Sequence, residues 1–224
     1  ADTGEPVAAS IRADGGSAVC IETDVAERSS VEACVAATVD RFGSLHVMVH
    51  NAFGGAAANR MEHADLQQHW HMMSRTGAWG SLFCAQAAYP HLVAAGSAGR
   101  FVMVTSPAGV EGSANLPLYA TVKAAQRGMA KSLAREWGHH GITVNCIAPG
   151  PVATDLPMNL LTDAQKKKAA DIAERMKGEV DRYFDTIGMG NDADKAKKDL
   201  FAFRKDRLKE MVDALTADQK MSLG

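Results

Sequence analysis

Lysine is nearly missing from most of this chain: of 12 lysines, only Lys123 and Lys131 precede Thr162. Aromatic residues are scarce as well, at 6% of 224 residues, with three tyrosines and three tryptophans. With a formal net charge of -2, this composition argues against a dedicated nucleic-acid binder, which needs a basic face and stacking rings. The four cysteines, Cys20, Cys34, Cys84 and Cys146, form no CxxC pair and no close cluster. They read as small apolar core residues of a reducing compartment, which excludes a disulfide-stapled scaffold. No apolar run approaches the ~18–20 residues of a membrane span, and no basic segment followed by an apolar stretch opens the chain. A soluble, cytoplasmic protein is expected. The chain opens on Ala1 rather than Met, and residues trimmed or lost ahead of it are expected.

What is present is unevenly spread. Residues 1–162 hold 16 of the 20 glycines and 23 charged residues, whereas residues 163–224 hold four glycines and 27 charged residues. A domain usually runs to ~100–200 residues, so the length allows one core and an appendage. The expected division is a core over residues 1–160 and a charged helical tail over 161–224.

Along the core segment, strand-length and helical periodicities alternate. Short β-branched runs at Ala18–Thr23, Leu45–His50, Phe101–Thr105 and Ile142–Ile147 have the length of buried parallel strands. Between them, Ser29 with Glu32 reads as a capping box for a helix that Gly43 ends. Longer helical patterns run from about Asp65 to Ala95 and from about Leu118 to Trp137, the latter closed by Gly138. Strands alternating with helices predict an α/β fold, a parallel sheet built from βαβ units. After Pro157 the pattern changes. Thr162-x-x-Gln165 and Thr216-x-x-Gln219 are capping boxes, and the lysine-rich segments that follow them read as exposed helices with a break at Gly188–Asp192.

The chemistry concentrates at Tyr119-Ala-Thr-Val-Lys123. Four residues make one helical turn, so the phenol and the ammonium share a face. A nearby positive charge favours phenolate and makes tyrosine a usable general acid and base near neutrality. Alone the pair is weak, since with three tyrosines and 12 lysines it arises by chance with a probability of roughly 0.16. Context supplies specificity. Ser106 ends the strand that precedes this helix, and Asn145-Cys-Ile-Ala-Pro149-Gly150-Pro-Val152-Ala-Thr154 follows the next strand.

Asp24-Val25, Asn51-Ala52, Ser106, Tyr119-x-x-x-Lys123 and Pro149-Gly150 with Thr154 occur in an order and at spacings that resemble the short-chain dehydrogenase/reductase family over roughly residues 1–160. The resemblance implies a Rossmann-like doubly wound parallel sheet and reversible alcohol–carbonyl hydride transfer with NAD or NADP. It implies that Tyr119 exchanges a proton with the substrate oxygen and that Ser106 hydrogen-bonds the same oxygen. Lys123 would tune Tyr119 and hold the ribose hydroxyls. It further implies cofactor contacts from Asp24-Val25 at the adenine, Asn51-Ala52 beside the central strand, and Pro149-Gly150, Val152 and Thr154 near the nicotinamide. Asp2, if it ends a strand, would accept hydrogen bonds from the adenosine ribose and favour NAD; a terminal acid without a role is the equal alternative.

Four departures from the family pattern stand out. No glycine-rich phosphate turn is present to seat a pyrophosphate at a helix N-terminus, and Phe53 stands where the family usually has glycine. Gly77 stands where the family places an asparagine that orders a water toward the lysine. The strands found correspond to the third to sixth of the family's 3-2-1-4-5-6-7 order, so the first has no neighbour and one edge of Leu45–His50 is exposed. The closing strand is replaced by the charged tail. The expected fold is therefore an incomplete Rossmann-like sheet with a charged α-helical C-terminal extension, a truncated core with an unusual tail.

Glu62, His63, His69 and His71 lie close together, but His69 and His71 point to different helix faces, and no metal site is expected. The run Lys166–Lys168 is offset by Asp163, Asp171 and Glu174 and reads as a solvated face. The expected partner is a small alcohol or carbonyl substrate, with no nucleic acid and no membrane. The resemblance implies a homo-oligomer, dimer or tetramer, through the two long helices. A non-catalytic remnant or binding scaffold with a helical interaction tail is the competing reading.

Overall fold

The structure, a computed structural model, describes residues 4–55 and 59–149, and beyond them 162–164, 167–168, 170–172, 174–175, 177–178, 202, 206 and 210. The chain divides into two compact units, Ala1–Gly150 and Pro151–Gly224. The β-branched runs at the middle of the first unit form strands β1 (Val47–His50), β2 (Arg100–Val104) and β3 (Thr143–Ile147). They pair in parallel in the order β1-β2-β3, with Val47 opposite Arg100 and Arg100 opposite Thr143. Parallel neighbours need a crossover between them, and here each crossover is helical. Ahead of the sheet lie α1 (Glu5–Ala13) and α2 (Arg28–Phe42). α2 ends as its sequence requires, on Gly43 at φ 78° with its N–H on the Val39 carbonyl.

The first crossover contains a one-turn 3-10 helix at Met61–His63 and then an unbroken helical rod. The rod begins as a π-helix at Leu66–Trp70, passes through α3 (His71–Met73) into a second π-helix at Ser74–Trp79, and continues as α4 (Gly80–Ala95). Asp65 caps it, its carboxylate accepting from the Gln68 N–H at 2.9 Å. The second crossover holds α5 (Ala108–Glu111) and α6 (Pro117–Trp137).

The core sits on one face of the sheet. Phe101 and Met103 of β2 and Val144 of β3 are buried against Val31 of α2, Cys84, Ala85, Ala88 and Leu92 of α4, and Ala130 and Trp137 of α6. Phe101 meets Trp137 edge-on, with centroids 6.0 Å apart. The opposite face is open: Val47 and Val49 are each about half exposed, at 51% and 53%, and so is Ile147 at 54%. Among the described residues β1 is an edge strand, as expected from the missing neighbours.

Three local expectations are corrected. Ala18–Thr23 forms no strand, because the strand that would pair with it is not among the described residues and a lone strand leaves its backbone groups to water. α2 starts one residue before the expected capping box. Ser29 is inside the helix, no side chain caps the N-terminus of α2, and the Ser30 hydroxyl turns instead to the preceding loop, accepting from the Asp24 N–H at 2.9 Å. Gly138 does not stop α6 in the left-handed region; it continues into a 3-10 turn, Gly138–His140, and Gly141 at φ 79° makes the stop.

In the second unit the described residues between Asp163 and Gly178 are helical, Ile172 is fully buried, and Arg175 pairs with Glu210 at 2.9 Å. The expected capping box at Thr216, the break at Gly188–Asp192 and the Lys166 end of the lysine run lie outside the described residues. No helix among the described residues is long and apolar enough to cross a membrane.

Candidate active site

The carboxyl ends of the three strands lie side by side, since His50 is opposite Met103 and Val104 opposite Ile147. Asn51-Ala52 follows β1, Thr105-Ser106 follows β2, and Ala148-Pro149 follows β3. A crevice outside the carboxyl ends of parallel strands is where α/β sheets bind ligands. The structure therefore brings Asn51, Ala52, Ser106 and Pro149 to one edge, with Asn51 and Ala52 exposed and Ser106 and Pro149 half-buried. Asp24 is exposed in the loop before α2, its carboxylate accepting from the Ala26 N–H at 2.9 Å, while Val25 packs against the core. Gly150, Val152 and Thr154, like Asp2, lie outside the described residues.

Tyr119 and Lys123 stand one turn apart on α6 as the spacing requires. Tyr119 is half-buried, and its hydroxyl makes no hydrogen bond among the described residues. Lys123 is turned inward: only 4% of it is exposed, its Nζ donates to the Val104 carbonyl at 2.9 Å, and burial pulls its pKa down to about 8. The ammonium also lies over the ring of Phe53, 4.2 Å from the centre, and 5.6 Å from that of Tyr119. Contacts of this kind contribute about 2 kcal/mol when desolvated. Gly109 of α5 lets this arrangement close up, since a Cβ there would stand 2.7 Å from the Lys123 carbonyl carbon and 2.8 Å from the Ala124 nitrogen. The Ser106 hydroxyl accepts from the Ala108 N–H at 3.2 Å and so helps start α5. Among the described residues it is not bonded to Tyr119.

Behind this edge is a polar cluster that sequence reasoning missed. His50, Ser81 and Gln126 are all buried. The Ser81 hydroxyl donates to the Gly77 carbonyl at 2.7 Å and lies 2.9 Å from both His50 Nδ1 and Gln126 Nε2. His50 Nδ1 also lies 3.4 Å from Gln126 Nε2, and the buried His50 Nε2 has no hydrogen-bond partner among the described residues. Burial, reinforced by the Lys123 charge, pushes the His50 pKa down to about 4. The one available signal is Gln126, a polar residue on the buried stripe of α6 that also carries Val122 and Ala130.

This neutral histidine sets an acid limit on stability. Unfolded His50 takes up a proton near its ordinary 6.5, whereas folded His50 resists until about 4. The unfolded chain thus binds more protons between those values, and stability falls as pH drops through that window, by up to about 3 kcal/mol. Urea unfolding at pH 7 and pH 4.5 should show a smaller pH-dependent loss in His50→Gln than in the parent chain. Equal losses would assign the acid sensitivity to other groups.

A parallel sheet with this crossover helix, carrying the Tyr-x-x-x-Lys pair beside the strand ends, defines the class as a Rossmann-like α/β core. The sequence profile of the short chain dehydrogenase family matches residues 1–165. The chain belongs to that family. It is 31% identical over 156 residues to a 3-oxoacyl-[acyl-carrier-protein] reductase of Synechocystis sp., covering 70% of this chain and 62% of the relative. To the short-chain reductase protein NovJ of Streptomyces niveus it is 38% identical over 180 residues, covering 80% and 62%. Among solved structures it resembles a gluconate 5-dehydrogenase from Burkholderia cenocepacia in complex with NADP and tartrate. The TM-score is 0.64 at 29% identity, covering 71% of this chain and 61% of that one. An NAD+-bound xylitol dehydrogenase gives a TM-score of 0.64 at 25% identity, with 67% and 57% covered. The chain thus spans about three-fifths of the length of these relatives.

Proposed function

We propose that this chain carries the proton-transfer machinery of an oxidoreductase site that moves a hydride between a nicotinamide cofactor, NAD or NADP, and a small alcohol or carbonyl compound. The observation that carries this reading is the placement of Tyr119, Lys123 and Ser106 beside the carboxyl ends of the strands. The phenol, unbonded among the described residues, is free to exchange a proton with a substrate oxygen. The Ser106 hydroxyl is the neighbouring donor for the same oxygen, and the Lys123 ammonium lies 5.6 Å from the centre of the Tyr119 ring. The exposed Asn51 and Ala52 and half-buried Pro149 fit the nicotinamide side of a cofactor, which when bound would donate or accept the hydride. Asp24 would meet its adenine end. Gly150, Val152 and Thr154 complete the proposed cofactor contacts by family resemblance, and Asp2 is the reason to favour NAD. A cytoplasmic location and a homo-oligomer through the rod containing α4 and through α6 belong to the same reading.

One observation favours a second reading, that of a non-catalytic binding scaffold: Lys123 spends its ammonium on Val104 and Phe53 rather than presenting it at the surface. Titration with NADH and with NADPH separates the two. Energy transfer from Trp70, Trp79 and Trp137 to the reduced nicotinamide is expected to rise and saturate for at least one cofactor. A flat response to millimolar concentrations of both would sink the enzyme reading for this chain.

A further inference from the structure

Phe53 stands three residues beyond β1 and touches both members of the Tyr-x-x-x-Lys pair. The Lys123 ammonium lies over its face at 4.2 Å, and the Tyr119 ring meets it edge-on, with centroids 5.3 Å apart and planes at 88°. Its ring occupies room that exists because residue 77 has no side chain. A Cβ on Gly77 would stand 2.8 Å from Phe53 Cε2 and 2.5 Å from Val122 Cγ1. A buried ammonium carries three donors, yet among the described residues Lys123 donates to one acceptor, the Val104 carbonyl. An ammonium shut away from water is costly unless something electron-rich faces it, and the negative face of an aromatic ring supplies that.

We infer that Phe53 is a positioning residue for Lys123, its ring face holding the ammonium beside Tyr119, and that Gly77 is the complement that admits the ring. Packing alone would be satisfied by an aliphatic side chain of similar volume. Charge stabilisation is not, because a saturated side chain has no ring quadrupole. What this positioning serves rests on the hydride-transfer reading above. The contact itself does not.

The test is a proton and carbon NMR titration of the full chain labelled with 13C at the lysine ε carbon, in the parent, Phe53→Leu and Phe53→Tyr. The Lys123 signal is assigned by its loss in Lys123→Met. The titratable groups facing Lys123 are Tyr119 on its own helix and His50 at the end of β1, and neither is altered. In the parent the Lys123 ε protons are expected upfield, shifted by the ring current, with a midpoint near 8. Phe53→Leu should lose the upfield shift and move the midpoint to lower pH by about half to one pH unit, since the ring favours the charged form. Phe53→Tyr keeps the ring face and should keep both signatures, while the Lys131 signal serves as an unmoved reference. A Lys123 midpoint unchanged in Phe53→Leu, or displaced as far in Phe53→Tyr, would overturn the inference. A midpoint that depends on the ring in a chain without turnover supports the contact and removes the enzyme reading; turnover with an indifferent midpoint does the reverse.

Discussion

Turnover by Tyr119→Phe is expected to fall roughly 100- to 10,000-fold, the usual contribution of a positioned general acid or base. Thermal stability should stay within about 0.5 kcal/mol of the parent. The two expectations separate because the ring and the hydroxyl of Tyr119 do different things. The ring packs edge-on against Phe53 and phenylalanine keeps that contact. The hydroxyl bonds nothing among the described residues, so its removal leaves no buried partner unsatisfied there. Initial rates of nicotinamide reduction or oxidation, measured beside a melting curve, check both. Turnover unchanged in the variant would refute Tyr119 as the proton carrier. A large loss of stability would show instead that the hydroxyl has a structural duty.

Installing asparagine at position 77, the residue type the family resemblance places there, is expected to damage this chain rather than improve it. The first atom of any side chain at 77 would come within 2.5 Å of Val122 Cγ1 and 2.8 Å of Phe53 Cε2. Real carbon contacts do not tolerate such distances, so the side chains of Val122 and Phe53, or the elements that carry them, must shift. A buried amide then adds its own desolvation. Overpacking and an ill-satisfied polar group together cost about 3 kcal/mol or more, which for a chain of this size lowers the melting temperature by roughly 10 °C. Some of the loss should return when room is made, as in Phe53→Ala combined with Gly77→Asn. Calorimetry on the two variants decides. A Gly77→Asn protein that melts with the parent would mean the apparent crowding is relieved at little cost.

Much of the fold was legible because its signals are local. The β-branched runs at 45–50, 101–105 and 142–147 have the length of strands and form the strands at 47–50, 100–104 and 143–147, and the intervening patterns have the period and end signals of helices. The four-residue spacing of Tyr119 and Lys123 placed both on one face of α6 by helix geometry alone. Ala18–Thr23 failed for a non-local reason. It has a strand's composition, but a strand exists only through a partner, and pairing is decided elsewhere in the chain. The capping box at Ser29 failed more narrowly, since the helix begins ahead of Ser29 with no side-chain cap, and the loop at Asp24 engages the neighbouring Ser30 hydroxyl.

The buried side of the site was much less legible. Phe53 and Gly77 each stood out as departures, 24 residues apart, yet nothing in the sequence joins them. Their relation is one of volume, and only the crossing of the Phe53 loop, the π-helix at Ser74–Trp79 and α6 puts the ring where a side chain at 77 would go. The same holds for His50, Ser81 and Gln126, which three separate elements bring to one buried point. By itself the sequence determined the family, the parallel α/β plan and the pairing of Tyr119 with Lys123, because period, spacing and turn chemistry act between near neighbours. Tertiary structure decided which way Lys123 faces, what holds its charge and why His50 stays neutral. Burial and electrostatics depend on distances through space that one-dimensional order does not carry.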